Sequence, residues 1–188
     1  MISILFMALY RSLLRAFINA GDYLGEGQAQ DDPTALLLNT VTRTNRYVCH
    51  THARALFATL FIGMLDPQTG RVSYINAGQD PPLILHDGHP HQELAPTGPG
   101  LGIMEEMDYR TGETAIAPGE VLLIYSDGVK DIQDSSGAVF GRVRLLELVT
   151  QPAASAAELV DRVSASLSAF RGDSPPYDDV TLLAIKRT

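Results

Sequence analysis

The sequence predicts an α+β layered domain. Apolar residues recur at helical spacing near the start, strand-like segments separated by turn residues follow from 57 to 125, and two helical segments and a strand close the chain. Helices segregated from a run of antiparallel strands are typical of this class. With 188 residues, 45% hydrophobic and 19% charged, we expect a single globular domain over 1–188.

The N-terminal part predicts two helices. Segment 5–18 carries one apolar stripe, formed by Phe6, Leu9, Leu13 and Phe17, and no capping residue precedes it. We interpret it as a buried helix, because the apolar start has no basic region before it and is too short to span a membrane. Glycines predict a flexible loop after it, at Gly21, Gly25 and Gly27.

The second helix has a clear start. Asp32 is a good N-cap and Pro33 a good first-turn residue for a helix that runs to about His50. Its predicted core side is formed by Leu37, Val41 and Val48. Cys49 lies in the same helical pattern, and we expect a buried structural thiol rather than a nucleophile.

Strands follow one another from there. Segments 57–65 and 71–75 predict a hairpin around the turn Asp66 to Gly70, and 83–85 resumes the sheet after a break at 76–82. His86, His89 and His91 come next; a zinc cluster is conceivable, but Asp87-Gly88 favours an exposed hairpin tip.

The remaining segments complete the prediction. Segments 109–116 and 121–125 are strand-like, and 142–149 and 155–170 are helical. Ser155 with Glu158 predicts a capping box. A last strand follows Asp178 and Asp179.

Composition excludes some functions and narrows the location. The net charge of -8 argues against a nucleic-acid-binding surface, which is normally basic. A single cysteine rules out an intramolecular disulfide and fits a reducing cytoplasm. We therefore expect a cytoplasmic protein with no nucleic-acid partner and no membrane insertion.

Two acidic positions stand out at strand ends. Asp127 follows the apolar run 121–125, and Asp178 precedes the last strand, so one sheet could bring them to one edge. Oxygen ligands presented in this way suit Mg2+ or Mn2+. Gly128 allows a sharp turn and leaves room beside the acid. The alternative stays open: Asp127-Gly128 is an ordinary turn and Asp178 caps a loop.

With these residues the chain resembles the SpoIIE-type, sigma-factor-regulating branch of the metal-dependent protein phosphatases (the PPM or protein phosphatase 2C superfamily), from about Ile4 to Ile185. The motifs that carry the resemblance are Gly70-Arg71 through Tyr74-Ile75-Asn76-Ala77-Gly78 with Pro81-Pro82, Pro118-Gly119-Glu120 through Tyr125-Ser126-Asp127-Gly128-Val129, Phe140-Gly141 with Arg144-Leu145, and Asp178-Asp179-Val180-Thr181-Leu182.

The resemblance implies a four-layer α-β-β-α sandwich with mainly antiparallel sheets and two metal ions, Mn2+ or Mg2+. It implies hydrolysis of phosphoserine or phosphothreonine by a metal-activated water, with no catalytic protein residue beyond the metal ligands. Asp127 and Asp178 match the ligating carboxylates, and Asp179 and Gly128 match supporting positions. Asn76 and Gly78 match a supporting turn near the sheet edge.

The chain departs from the family pattern in three places. The first acidic motif, an Asp followed shortly by Ser-Gly-His-Gly, is absent together with the first strands, so we expect that the N-terminal part of the family domain is missing. The absent Asp bridges both metals in the family, so this chain would hold one ion or none. Gln79 replaces a common His, and Asp131 stands where Glu is usual.

The resemblance implies a phosphatase acting on a phosphorylated regulatory protein such as an anti-sigma-factor antagonist, with a sensor domain upstream. Because the missing strands would adjoin helix 5–18, we expect part of its apolar stripe to be uncovered and to favour a homodimer. A second hypothesis is a pseudophosphatase or partner-binding module that keeps the fold without the metal centre.

Overall fold

The computed structural model describes residues 2–23, 32–52, 57–175 and 178–188. Within these ranges no helix is long and apolar enough to cross a membrane. The elements are, in chain order, α1 (Ile2–Tyr23), α2 (Pro33–His52), β1 (Leu60–Leu65), β2 (Arg71–Ala77), β3 (Leu83–His86), β4 (His89–Glu93), β5 (Gly112–Ala115), β6 (Val121–Tyr125), α3 (Gly128–Asp131), α4 (Gly141–Val149), α5 (Ala156–Arg171) and β7 (Leu182–Lys186).

The chain divides into two compact units, and the first comprises the described residues of Met1–Asp66, Arg71–Gln79 and Pro96–Thr114. It contains a sheet with strand order β1-β2-β5, in which β1 and β2 are antiparallel. Helix α2 packs on β2 and on α1. Apolar side chains from these elements and from the segment before β5 form one buried cluster, which includes Tyr10, Leu37, Val41, Val48, Ile75, Ala77, Leu101 and Tyr109.

The second unit comprises Pro67–Gly70, Asp80–Ala95 and the described residues of Ala115–Thr188. Its sheet has the order β4-β3-β6-β7, with antiparallel pairing throughout. The core joins this sheet to α4 and α5 and includes Leu83, Leu123, Tyr125, Val129, Phe140, Leu145, Leu159 and Val163. Two antiparallel sheets with helices packed on them confirm the predicted α+β class.

The predicted helices are present with shifted ends, but the prediction that the first is buried is wrong, because among the described side chains of α1 only Tyr10 is buried. Helix α1 extends through Gly21, so the predicted loop begins later; Gly25 and Gly27, and the side chain of Phe6, lie outside the described residues. The Asp32 cap is confirmed, since its Oδ1 accepts a hydrogen bond from the Thr34 N–H at 2.9 Å. The prediction of a buried Cys49 is wrong: the thiol is partly exposed.

The capping box at α5 is confirmed only in its first half. Ser155 Oγ accepts from the Glu158 N–H at 3.1 Å, whereas Glu158 Oε2 accepts from the Ala154 N–H at 2.7 Å rather than from Ser155. The Glu158 side chain therefore reaches one residue further back than the motif predicts.

The strand predictions differ most at the edges. Predicted strand 109–116 is only Gly112–Ala115, and β7 begins at Leu182 rather than directly after Asp179. The hairpin at Asp87-Gly88 is confirmed, with φ values of 47° and 80° that fit a tight turn, but of these two residues at the predicted exposed tip only Asp87 is exposed, because Gly88 is buried. Strand β4, which carries His89 and His91, was not predicted because all five of its residues are exposed and none alternates with an apolar one.

Candidate metal-binding edge of the second unit

Strand β6 ends at the candidate site. It lies between β3 and β7 in the sheet, so its residues are largely buried on both faces, and its apolar run stops at Tyr125. Asp127 then begins the one-turn helix α3, and its Oδ1 accepts a hydrogen bond from the Gly128 N–H at 3.0 Å. The buried strand thus delivers Asp127 to the end of the sheet.

The segment before β7 lies beside this end of β6. Tyr125 pairs with Leu182, and beyond that pair the Ser126 N–H donates to the Thr181 carbonyl at 3.0 Å. Ser126 Oγ accepts from the Thr181 N–H at 2.9 Å and donates to the Asp179 carbonyl at 3.2 Å. These bonds hold the backbone that carries Asp127 against the backbone that carries Asp178 and Asp179. Tyr177 lies outside the described residues.

Gly128 makes the closest approach between the two segments. It is buried, and a β-carbon at this position would lie 2.3 Å from the Asp179 carbonyl oxygen. Any larger residue would push α3 away from the start of β7. The space that the sequence predicted beside the acid is therefore used by backbone.

Both predicted ligands are exposed, and each has one oxygen in a local hydrogen bond. Asp178 Oδ1 accepts from the Asp179 N–H at 2.7 Å, much as Asp127 Oδ1 accepts from Gly128. Although Asp127 follows a buried strand, its own carboxylate is in solvent. The cap and turn roles are thus real, but each carboxylate retains a second oxygen that can bind a cation.

An ion pair lies close to Asp127. Lys130 Nζ on α3 is 3.1 Å from Asp80 Oδ1, and the two side chains are 32% and 21% exposed. The hydrogen bond with Asp80 raises the pKa of Lys130, burial opposes this, and the charges of Asp80, Asp131 and Asp127 add to the rise. Lys130 is therefore a cation throughout the neutral range.

The side chains at this edge are of the type that binds a hard cation, but they are few. Asp127, Asp178 and Asp179 offer carboxylate oxygens, which Mg2+ and Mn2+ prefer, and Mg2+ is commonly held by one or two carboxylates with water. Within the ranges that the structure describes, no group of three or more His, Cys, Asp or Glu side chains is arranged to hold a metal ion. These residues suit one hydrated ion, and a two-ion centre needs further ligands.

Asn76 and Gly78 belong to the first unit, where they have structural roles. Asn76 is not in a turn: it is fully buried within β2 and pairs with Phe61. Its side-chain oxygen accepts from the Gln79 N–H at 2.9 Å, and its N–H donates to Thr97 Oγ1 at 3.0 Å. The chain turns at Gly78, where φ is 75°. Gln79 accepts from Thr59 Oγ1 at 2.8 Å.

Sequence reasoning missed Ser126 and Lys130. Ser126 is one polar residue after an apolar run, and no pattern separates it from an ordinary strand end. Lys130 did leave a signal, because it is the only basic residue between Arg110 and Arg142 and it lies within a predicted acidic edge.

Comparison with known proteins assigns the fold and the family. The SiaA-PP2C domain of Pseudomonas aeruginosa superposes with a TM-score of 0.70 at 26% identity, over 95% of this chain and 69% of that domain. This match shows the α+β sandwich fold of the PP2C-type proteins. The sequence profile described as Stage II sporulation protein E (SpoIIE) matches residues 1–188. The chain belongs to the SpoIIE family.

Two curated relatives extend the comparison. Protein IcfG of Synechocystis sp. is 34% identical over 97% of this chain and 31% of its own length. The phosphoserine phosphatase RsbU of Bacillus subtilis is 26% identical over 76% of this chain and 43% of its own length. The chain thus spans less than half of either relative. Among more distant proteins with this fold, PstP holds two manganese ions and RsbX holds magnesium; at 16% and 18% identity they show the fold alone.

Proposed function

We propose that this chain is the phosphatase domain of a cytoplasmic, Mn2+- or Mg2+-dependent phosphoserine/phosphothreonine protein phosphatase. Its substrate would be a phosphorylated regulatory protein such as an anti-sigma-factor antagonist. The observation that carries the proposal is that the hydrogen bonds of Ser126 join the segment that carries Asp127 to the segment that carries Asp178 and Asp179. Membership of the SpoIIE family and the similarity to the phosphatase RsbU support it.

Divalent ions at this edge would supply a nucleophilic water and neutralise charge on the phosphoryl oxygens. The protein's part is to present the ligands. Asp127 and Asp178 would hold an ion through the oxygens not engaged with backbone N–H groups. Asp179 supports the site through its carbonyl, which accepts from Ser126 and packs on Gly128.

The second candidate is a pseudophosphatase or partner-binding module with the same fold. Two observations favour it. Within the described ranges no three ligating side chains form a cluster that could hold a metal ion. The sequence also lacks the acidic motif, an Asp followed shortly by Ser-Gly-His-Gly. Because each lost anionic ligand weakens the binding of a hard cation, we expect the 188-residue chain to bind Mn2+ weakly and to hydrolyse phosphoprotein slowly or not at all.

The deciding assay measures phosphate release from a phosphoserine peptide with added Mn2+. It compares the 188-residue chain with any longer product of its gene that contains the acidic motif. We expect the longer product to be active and to lose activity on Asp127→Ala. Turnover that survives Asp127→Ala would place the chemistry elsewhere, and a longer product without turnover would favour the binding module.

The same longer product tests the wider arrangement. IcfG and RsbU extend well beyond the matched region, which leaves room in those relatives for a sensor domain. For this protein the upstream sensor and the homodimer are part of the proposal. Light scattering of the purified protein at several concentrations measures its mass. A monomer mass at every concentration would contradict the proposed homodimer.

A further inference from the structure

Lys130 is held in place by a residue from a distant part of the chain. Asp80 follows Gly78-Gln79 and precedes Pro81-Pro82, whose rings restrict the backbone on either side of them. The 3.1 Å contact between Lys130 Nζ and Asp80 Oδ1 joins the segment entering β3 to the helix that follows β6. With both side chains more than half buried, the ammonium has less freedom than that of a surface lysine.

The ammonium group retains hydrogen-bonding capacity. It has three N–H donors, and Asp80 is its partner among the described residues. About a third of the side chain, 32%, is exposed. The ammonium therefore has donors left for water or for a ligand that enters this edge.

The charge around Lys130 makes the ammonium chemically distinctive. The charged groups that act on Lys130 are carboxylates, namely those of Asp80, Asp127 and Asp131. A phosphoryl group carries about two negative charges and several strong acceptor oxygens, so carboxylates repel it. Lys130 follows Asp127 by three residues, and its positive charge can offset this repulsion.

We propose that Lys130 binds the phosphoryl group of the substrate directly, while Asp80 holds the ammonium in position. This inference deepens the proposed function and rests on it. It assigns the Lys130–Asp80 pair a role in substrate binding, beyond a contact that fastens α3 to the entrance of β3.

The test separates substrate binding from a structural role through two affinities. The probe is a peptide that carries a non-hydrolysable phosphonate analogue of phosphoserine, and the control probe is the same peptide with serine. Affinities for each peptide and for Mn2+ are measured by calorimetry on the longest available product of the gene, as wild type and as Lys130→Met. We expect Lys130→Met to weaken phosphonate-peptide binding about tenfold.

Mn2+ affinity should respond differently. Loss of a positive charge beside Asp127 makes the edge more negative, so Mn2+ should bind as tightly as in the wild type or more tightly. A parallel loss of Mn2+ and phosphonate-peptide affinity would show that Lys130 only maintains the structure, and would overturn the inference. Unchanged phosphonate-peptide affinity, or a wild-type protein that does not prefer the phosphonate peptide, would also overturn it.

Two further variants control for charge and shape. The double variant Asp80→Asn, Lys130→Met keeps the net charge of the wild type but lacks the ammonium. We expect it to bind the phosphonate peptide as weakly as Lys130→Met does, and recovery to wild-type affinity would overturn a direct contact. Lys130→Arg keeps a cation with N–H donors and should retain most of the affinity; a loss as large as that of Lys130→Met would contradict a role for the cation.

Failure of this inference can be told from failure of the proposed function. If the wild type releases no phosphate but binds the phosphonate peptide through Lys130, the phosphatase proposal fails and the phosphoryl contact stands. If the wild type turns over and Lys130→Met leaves KM unchanged, the contact fails and the phosphatase proposal stands.

Discussion

Gly128 packs directly against the Asp179 carbonyl, so closely that a β-carbon would lie 2.3 Å from the oxygen. This contact sets the distance between the start of α3 and the segment before β7. It also explains why the residue after Asp127 is glycine. A side chain here would collide with the Asp179 carbonyl, whereas the backbone of Gly128 is not left-handed.

We predict that Gly128→Ala lowers the free energy of unfolding by about 1–3 kcal/mol, because the added methyl group meets rigid backbone. Hydrogen exchange at Thr181 should also speed up as the two segments separate. Denaturant unfolding measures the first effect and exchange mass spectrometry the second. Gly63→Ala is the matched control, because the nearest atom to its β-carbon would be 3.5 Å away. Equal stability of Gly128→Ala and Gly63→Ala would refute the steric contact.

Buried Asn45 gives a second prediction. Its side chain is 1% exposed, donates to the Met104 and Glu105 carbonyls at 2.8 and 3.1 Å, and accepts from the Gly102 N–H at 2.8 Å. Asn45→Ala leaves the buried Gly102 N–H without its partner, which costs roughly 1–3 kcal/mol, whereas Met104 and Glu105 are exposed and their carbonyls can bond to water. We therefore expect a loss of about 1–3 kcal/mol in the free energy of unfolding.

The control for Asn45 lies on the same helix. Asn39 is exposed on α2, and Asn39→Ala should leave stability unchanged or raise it slightly, because alanine has the higher helix propensity. Chemical denaturation of both variants checks the prediction. If both variants unfold alike, the hydrogen bonds of Asn45 contribute nothing to stability.

The sequence predicts an element well when the residues of that element alone carry the signal for it, and poorly when the element depends on its partners in the fold. Strand β6 was predicted at its exact bounds because a strand buried on both faces is an unbroken apolar run that polar residues end abruptly. Strand β4 and helix α3 carry no such signal: β4 is polar and is held by backbone pairing to β3, and one helical turn is too short for periodicity.

The candidate site was predictable in position but not in detail. The order of Asp127 and Asp178 at strand ends predicted two acidic segments at one edge, and the register of β6 and β7 places those segments side by side. Their ligation of a metal stays a prediction. Asn45 and the Lys130–Asp80 pair depend on partners far along the chain, and a single sequence does not show which residues tertiary folding brings together.

Tyrosine burial in the first unit predicts loss of stability in alkali. Burial, with a smaller contribution from Cys49, raises the pKa of Tyr10 to about 12, and burial also raises the pKa of Tyr109. An unfolded tyrosine has a pKa of about 10, so the fold favours the neutral phenol. The stability that this preference contributes is present below pH 10 and is lost as the pH rises through 12.

We expect the free energy of unfolding to fall between these pH values, and Tyr10→Phe to show a shallower fall because it has no phenol to ionise. Denaturant unfolding monitored by circular dichroism over this range measures both proteins, and phenolate absorbance follows the ionisation. A fall of the same steepness in Tyr10→Phe would show that other groups cause it.

The two roles of Asp127, cap and candidate ligand, can be separated by comparing Asp127→Asn with Asp127→Ala. Asparagine keeps a side-chain oxygen for the Gly128 N–H, so stability should stay close to that of the wild type, whereas alanine should cost about 0.5–1 kcal/mol. Both variants lose the negative charge, and both should therefore bind Mn2+ at least tenfold more weakly. Denaturant unfolding and a Mn2+ titration followed by electron paramagnetic resonance provide the two measurements.

Asp134→Asn is the control for that titration. Asp134 is a half-buried residue whose carboxylate Oδ1 accepts from the Ser136 and Ala138 N–H groups, so it stabilises a turn by the same kind of bond as Asp127. Because Asp134 lies in another turn, away from the end of β6, the substitution Asp134→Asn should leave the Mn2+ affinity unchanged. If Asp127→Asn binds Mn2+ as well as Asp134→Asn does, then Asp127 is only a cap, and the metal site must be sought among other residues.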